Sequence, residues 1–367
     1  MIVATIALLV AMHAGGSPTV ACDPIESRTR GSQKTTHVFA FDDDRFTFPG
    51  TDRDYSFGLS FRYGRNADSL PRAHCWRRVL WDAGIVLNGF TNDSLQADYV
   101  IRGERPYASL ALLTGRVVIL DASGEQAWVT ELSAGMLGGP IVPWVHSRAH
   151  DLFRAATPWI CVQVCADPVG YHHQISRDGE PTALLRVALP RLIYERCPGA
   201  PCTQEARTPR TFQLDISPEA RLGFYTDAAI GASARWGRFQ SRFWEGGAAE
   251  MQGPGTPSSA RVPDDARQAA AGTGHLRNDY YIFASARQRV VGYNALLQGG
   301  FQPSEYVIAS ADLMRSVTEY QIGATILWRF GSHDFGIAYA PITGRTKEFR
   351  GRFERAHKWG TIQFSWE

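Results

Sequence analysis

The sequence predicts an all-β fold, a transmembrane antiparallel β-barrel of about twelve strands with a short helix in one extracellular loop. Three observations predict it. Segments of about ten residues repeatedly alternate apolar with small or polar side chains, the period of a strand with one greasy and one polar face. Beyond the first residues, no apolar run is long enough to cross a bilayer as a helix. The chain also closes on an amphipathic strand, Ile362, Phe364 and Trp366, with Glu367 after the terminal aromatic. A soluble β-sandwich alternates as well. Aromatics at strand ends and Gly, Ser and Thr on the inward face favour the barrel.

Residues 2–14 are almost wholly apolar and Thr19-Val20-Ala21 is a small-residue cleavage pattern, so residues 1–21 read as a signal peptide and 22–367 as the barrel domain. Cys22 would follow the cut, but Thr19 is a poor lipobox residue, which disfavours lipidation. The clearest strand follows, with Tyr55, Phe57, Leu59, Phe61 and Tyr63 on an aromatic face and Ser56, Gly58, Ser60, Arg62 and Gly64 on a small, polar one. The same pattern recurs over 228–236, 320–330, 335–339 and 362–366, and more faintly over 36–44, 78–90, 105–119, 126–138, 182–195, 210–219 and 279–289. Residues 139–181 form a loop in which Pro143 opens a short helix, because proline suits a first helical turn. Residues 240–278, rich in Gly, Pro, Ser and Ala, read as a second long loop.

The net charge of +2 and the scattered basic residues argue against a nucleic-acid partner. Six cysteines in an exported chain favour disulfides. Cys161 with Cys165 and Cys197 with Cys202 are close in sequence within loop-like stretches, and two small staples are expected there. Neither spacing is CxxC, which disfavours metal binding by these thiols.

On the expected helix, His146 and His150 are four apart and share a face, beside an apolar stripe of Val145, Ala149, Leu152 and Ala156. They read either as two solvated histidines or as a chemical pair. An HExxH zinc motif is excluded, because Ser147 and Arg148 stand where it needs a glutamate, and no GxSxG serine elbow occurs. The triple Asp42, Asp43 and Asp44 offers hard oxygen ligands that suit calcium better than zinc, without the spacing of an EF-hand. Its other reading is a solvated strand end.

The segments FAFDDDRF at Phe39 to Phe46, GTDRDYSFG at Gly50 to Gly58, ERPYASL at Glu104 to Leu110, ELSAGMLGGP at Glu131 to Pro140 and HSRAH at His146 to His150, in this order, resemble the outer-membrane lipid A 3'-O-deacylase family. TEYQIGATILWRF and TKEFRG resemble its closing strands. The resemblance implies a twelve-stranded barrel with a site at its outer-leaflet end that hydrolyses an acyloxyacyl ester of lipid A with calcium (Ca2+). By this resemblance Asp43 and Asp44 take the place of the family's Asn-Asp pair, Ser56 that of its Thr, His146 that of its Gln and His150 that of its His. Asp43 and Ser56 keep an oxygen donor, whereas His146 replaces an amide by a titratable ring. The family's acid after the helix has two candidates here, Asp167 and Glu180.

In this reading His150 is the general base, Asp43 and Asp44 hold calcium, and Ser56 holds water or substrate. His146 orients His150 or binds metal. Arg45, Arg53 and Arg105 hold the lipid A phosphates. The expected partners are lipid A or lipopolysaccharide and the outer membrane of a Gram-negative bacterium, with the protein a monomer. Two other readings stay open: a catalytically silent structural, binding or pore barrel, and a phospholipase or esterase of the same fold.

Overall fold

The computed structural model describes residues 35–47, 54–67, 78–121, 125–156, 167–199, 202, 209–241, 243, 279–331 and 333–367. Among them thirteen strands make one antiparallel sheet. In chain order these are β1 (Thr35–Asp43), β2 (Asp54–Ala67), β3 (Arg78–Thr91), β4 (Ala108–Leu120), β5 (Ala127–Leu137), β6 (Glu180–Ala188), β7 (Arg191–Arg196), β8 (Arg210–Gly223), β9 (Tyr225–Phe239), β10 (Asp279–Asn294), β11 (Ser316–Phe330), β12 (His333–Arg345) and β13 (His357–Trp366). One long helix, α1 (Ile141–Ala156), lies between β5 and β6, and a single helical turn, α2 (Ala295–Gln298), follows β10. Each strand pairs with the next except β6 and β7, which both pair with β8; β1 also pairs with β13, so the sheet closes into a twelve-stranded barrel with β7 as an extra strand. Closure removes the edges that lipid cannot satisfy, since a bilayer core offers no partner for a backbone N–H or C=O.

The stretch 182–195, expected as one strand, is two. Leu184 to Ala188 of β6 pairs with Gly223 to Glu219 of β8, and Arg191 to Arg196 of β7 continues along β8 from Ile216 to Phe212. The break falls at Leu189 and Pro190, where Leu189 N–H donates to the Pro218 carbonyl and the Pro190 carbonyl accepts from Ala127 N–H. Pro190 has no N–H to give the ladder, which is why the strand steps here.

The alternation expected from sequence is the alternation of the wall. In β10 every second residue from Asp279 to Arg289 is buried, while Tyr280, Ile282 and Val290 are exposed. Ile230 and Trp236 of β9, Ile322 and Ile326 of β11 and Phe364 of β13 are exposed in the same way and cover the outside with apolar surface. Near the end that carries the termini, aromatic rings gather: His37 stacks on Trp366 at 5.3 Å, and Tyr63 meets Trp81 at 6.0 Å. Such a girdle suits a membrane–water interface.

The inward face carries a network of ion pairs that runs across the barrel, beside an apolar cluster that includes Val86, Phe90, Leu110 and Leu112. Asp82 takes Arg62 and Arg116, Glu131 takes Arg62 at 3.1 Å and Arg186 at 3.9 Å, and Glu219 takes Arg186 at 2.9 Å and Arg289 at 2.8 Å. Arg289 reaches Glu319 at 2.7 Å, Glu319 pairs with Arg345, and Arg345 reaches Glu348 at 2.8 Å. Every side chain in this chain of contacts is nearly inaccessible, so the network lies buried inside the barrel. Removing one partner of such a buried pair costs about 3–5 kcal/mol, because the other charge is left uncompensated.

One strand departs from the expected facing. A bulge between Tyr55 and Phe57 of β2 shifts the register against β3. Tyr55, expected on the outer aromatic face, instead points into the barrel, where its hydroxyl donates to Asp42 at 2.9 Å and accepts from Asn88 at 2.7 Å. An extra residue on one strand changes the side on which its neighbours emerge.

The loops after β1, β3, β5, β10 and β12 share one end of the barrel, which also carries α1, whereas the termini lie at the other. Gln240, the first residue of the 240–278 segment, and Asp279, which follows it, belong to the terminal end, and most of that segment lies outside the described residues. Cys197 and Cys202 are joined by a disulfide at that end, with Cα atoms 5.3 Å apart. Residues 1–34, Cys161 and Cys165 lie outside the described residues.

The lipid-facing wall carries a test. Ile230→Arg, placed at the middle of β9, is expected to destabilise the barrel in bilayers by about 2–4 kcal/mol, measured by denaturant unfolding from lipid vesicles. A cost under about 0.5 kcal/mol, normal for an exposed site on a soluble sheet, would contradict a bilayer contact there.

Candidate active site

The chain leaves β5 at Gly138, which has φ +79°. A Cβ there would lie 2.0 Å from the Ser176 carbonyl oxygen, so glycine is required both for conformation and for space. Gly138 N–H donates to the Ser109 carbonyl, and Gln174 donates to the Gly138 carbonyl at 2.8 Å, which pins the exit from the strand. From this anchor α1 crosses the outside of the barrel wall. Val142 lies over Gly89 of β3, His146 over Phe57 of β2, and Phe153 over Phe41 of β1. Gly89 leaves room for this approach, since a Cβ would meet the Tyr171 hydroxyl at 2.4 Å.

The buried stripe of α1 is Val142, His146 and His150, not the apolar stripe expected from sequence. Leu152 and Ala156 are exposed, as are Ile141 and Trp144. The exposed side is mixed, since Arg148 and Asp151 lie on it beside Ile141, Trp144 and Leu152, and the two rings take the wall side because aromatic partners wait there. Packing is ring on ring: His146 stacks on Phe57 at 5.1 Å, His150 stands perpendicular to His146 at 4.8 Å, and Phe153 stacks on Phe41 at 6.3 Å. His146 Nδ1 and the Tyr171 hydroxyl share a hydrogen bond of 3.0 Å. Tyr171 is itself held edge-on by Tyr107 at 5.1 Å.

Ser56 is the bulged residue of β2, buried, and its hydroxyl is 2.5 Å from that of Thr91. Thr91 and Gly89 lie on the outward face of β3, so the bulge delivers Ser56 to the side of the wall that α1 covers. The aspartate triple is divided. Asp42 faces the lumen, accepting from Tyr55 at 2.9 Å and Thr361 at 2.6 Å, so it is no member of an outer site. Asp43 is on the outer face, two residues beyond Phe41, and Asp44 is buried in the 3-10 turn Asp44–Phe46, whose carbonyl accepts from the Thr47 hydroxyl at 2.9 Å.

Arg105 is a correction. Expected at a phosphate, it is buried inside the barrel mouth, ion-paired with Glu348 and set 5.2 Å from the centroid of the Phe90 ring. An arginine so enclosed does not meet a headgroup. Arg53 and the side chain of Arg45 lie outside what is described. Of the two candidate acids, Asp167 pairs at 3.1 Å with Arg154 in the last turn of α1. Glu180 instead accepts from Gln302 N–H at 2.6 Å, across the mouth in the β10–β11 loop.

Sequence reasoning missed Phe57 as a ring support, Thr91 as the partner of Ser56, and Tyr171. Thr91 and Tyr171 carry no spacing signal, since the loop fold alone brings Tyr171 to His146, twenty-five residues earlier.

Several of the quoted segments meet at the mouth in a different cluster. Asp54, with φ +69°, accepts from Arg355 Nε at 3.0 Å, Arg355 also reaches Asp93 at 2.6 Å, and Asp93 N–H donates to Glu104 at 2.7 Å. Burial pushes the Glu104 carboxyl up from 4.5 to about 7, with the Asp93 N–H bond and Arg355 working against that rise.

The sequence family described as "Outer membrane protein LpxR" matches residues 3–367. Among solved structures, LpxR from Salmonella typhimurium is similar in fold, with TM-score 0.60 and 15% identity, the match covering 90% of this chain and 99% of that one. The β domain of the Bordetella autotransporter BrkA matches at TM-score 0.38 and 9% identity, covering 90% of this chain and 96% of that one. No curated protein sequence matches.

Because the folded pKa of Glu104 lies above its unfolded value, its contribution to the mouth is complete below 4.5 and is lost as pH rises through about 7. Hydrogen exchange in residues 92–107, corrected for intrinsic rates, is expected to show falling protection over that window. Glu104→Gln should flatten the dependence; an unchanged slope in the variant would remove Glu104 as its source.

Proposed function

The chain belongs to the LpxR family of outer-membrane proteins, and from that premise we propose that it is a lipid A deacylase, hydrolysing the 3'-acyloxyacyl ester of lipid A in the outer leaflet. The observation that carries this reading is the burial of His146 and His150 against the outside of the barrel wall, where His146 stacks on Phe57, the residue after Ser56, while the inside holds a buried ion-pair network. A substrate reaching these groups comes along the wall, from the membrane, and not through the barrel. Ile141, Trp144 and Leu152 on the outer side of α1 suit contact with acyl chains at that level.

His150 serves as the general base that takes a proton from the attacking water, a task for which imidazole titrates in the right range. His146, fixed by Tyr171 and Phe57, stands perpendicular to His150 and orients it. Ser56, with its hydroxyl on Thr91, positions water or the ester by a hydrogen bond. The donors offered by the end of β1, by β2 and by β3 are hard oxygens, the Asp43 and Asp44 carboxylates and the Ser56 and Thr91 hydroxyls, a set that suits calcium. Asp43 and Asp44 would hold the ion, which when bound polarises the ester carbonyl and stabilises the oxyanion. The protein acts as a monomer after export with a cleaved signal peptide.

The ring at His146, where the family carries Gln, favours a second reading, a binding barrel without activity. Mass spectrometry of lipid A from Gram-negative cells expressing the chain separates the two. The expected result is loss of one 3'-linked acyloxyacyl group, abolished by a calcium chelator and reduced about 10²–10⁴-fold in rate by His150→Ala. Intact lipid A from cells whose outer membrane holds the folded barrel would sink the deacylase reading.

A further inference from the structure

At the mouth of the barrel, away from the buried face of α1, three loops bring a second set of donors together. Asp98 comes from the β3–β4 loop, His172 and His173 from the 3-10 turn Val169–His173, and Glu305 from the β10–β11 loop. The ligand atoms of Asp98, His172 and His173 all lie within 4.8 Å of one another. We infer that Asp98, His172 and His173 form a transition-metal site, suited to zinc, that ties these loops together.

The geometry argues for it at each donor. His172 Nε2 contacts Asp98 Oδ1, and His173 Nε2 is 3.9 Å from the same oxygen. Two ligands of a tetrahedral zinc, with bonds of about 2.0–2.2 Å, stand roughly 3.4 Å apart, so small side-chain rotations complete the arrangement. Asp98 and His172 are exposed and have room to make them. The two imidazole rings lie 4.1 Å apart although their residues are adjacent in sequence.

Glu305 adds the feature that an ordinary ion pair does not need. Its carboxylate lies 2.6 Å from Nδ1 of His173 and so holds the proton on that nitrogen. The lone pair of Nε2 is then directed at Asp98, the carboxylate–histidine–metal arrangement that raises ligand basicity and fixes the tautomer. Two imidazoles and a carboxylate, with no thiolate, match zinc better than calcium or magnesium. Three protein ligands leave a fourth position to water.

The same turn carries Tyr171, whose hydroxyl holds His146. An ion on His172 and His173 therefore steadies the turn that positions the His146 ring, from outside the catalytic groups.

Zinc titration of the tag-free full chain in detergent, against a chromophoric chelator, tests this without an activity assay. Wild type is expected to bind one ion that His172→Ala/His173→Ala and Asp98→Asn both lose, while His146→Ala/His150→Ala keeps it. Cobalt substitution should give visible d–d absorption that disappears in the same variants. Glu305→Gln should weaken binding roughly 10–100-fold. Heat-modifiable migration on gels confirms that each variant is folded. Folded His172→Ala/His173→Ala protein binding zinc as tightly as wild type, or wild type binding none, would overturn the inference. Neither outcome depends on whether the chain cleaves lipid A.

Discussion

The molecule depends on one constraint: a sheet that stands in lipid must bond every backbone polar group within itself. Pairing of β1 with β13 and of β6 with β8 meets it, and closing the ring sorts side chains into an outer and an inner population. The inner population cannot be apolar throughout, because the outer one already uses the greasy residues of each strand. Arginines and carboxylates fill the space, and their pairing around Asp82, Glu131, Glu219, Glu319 and Glu348 makes each one tolerable only in the presence of the others. With the lumen so occupied, the chemistry proposed for this chain is assigned elsewhere, to the outside of β1, β2 and β3 that α1 covers.

What was legible in the sequence was what repeats. Alternation in β9, β10 and β11 shows which residues face lipid, and a period of two survives loops of any length. Irregularities were illegible. The spacing of Tyr55 from Phe57 obeys the strand period and points it outward, and only the bulge at Ser56 turns it inward. The step at Pro190 divides a strand whose composition gives no other sign of it. Helix α1 was readable as a helix, but its orientation was not. Rules for soluble proteins turn Val145 and Leu152 inward, whereas ring partners on the wall, Phe57 above all, draw the histidines to the buried side.

The candidate site was legible as residue types and not as a constellation. His146 and His150 are a visible pair because helical periodicity joins them, whereas the partners of His146 and Ser56 come from distant segments. The acidic run looked like one cluster of ligands, yet a strand sends neighbouring side chains to opposite faces, and Asp42 is spent on Tyr55 and Thr361 inside the barrel. Arg105 shows the opposite error. A basic residue in a segment shared with a lipid-modifying family invites a headgroup role, while its burial against Glu348 makes it part of the scaffold that joins the mouth loops.

The placement of α1 on the outer wall also changes what substrate concentration means. For a group that works on the lipid side of a barrel, encounters take place in two dimensions, among neighbours that diffuse within the same leaflet. For the proposed reaction, the amount of lipid in the surrounding fluid is then irrelevant, and the surface fraction of the leaflet made up by substrate sets the rate. Diluting that leaflet with inert lipid slows such a catalyst even when no substrate is removed from the vessel, whereas adding more membrane of unchanged composition leaves it untouched.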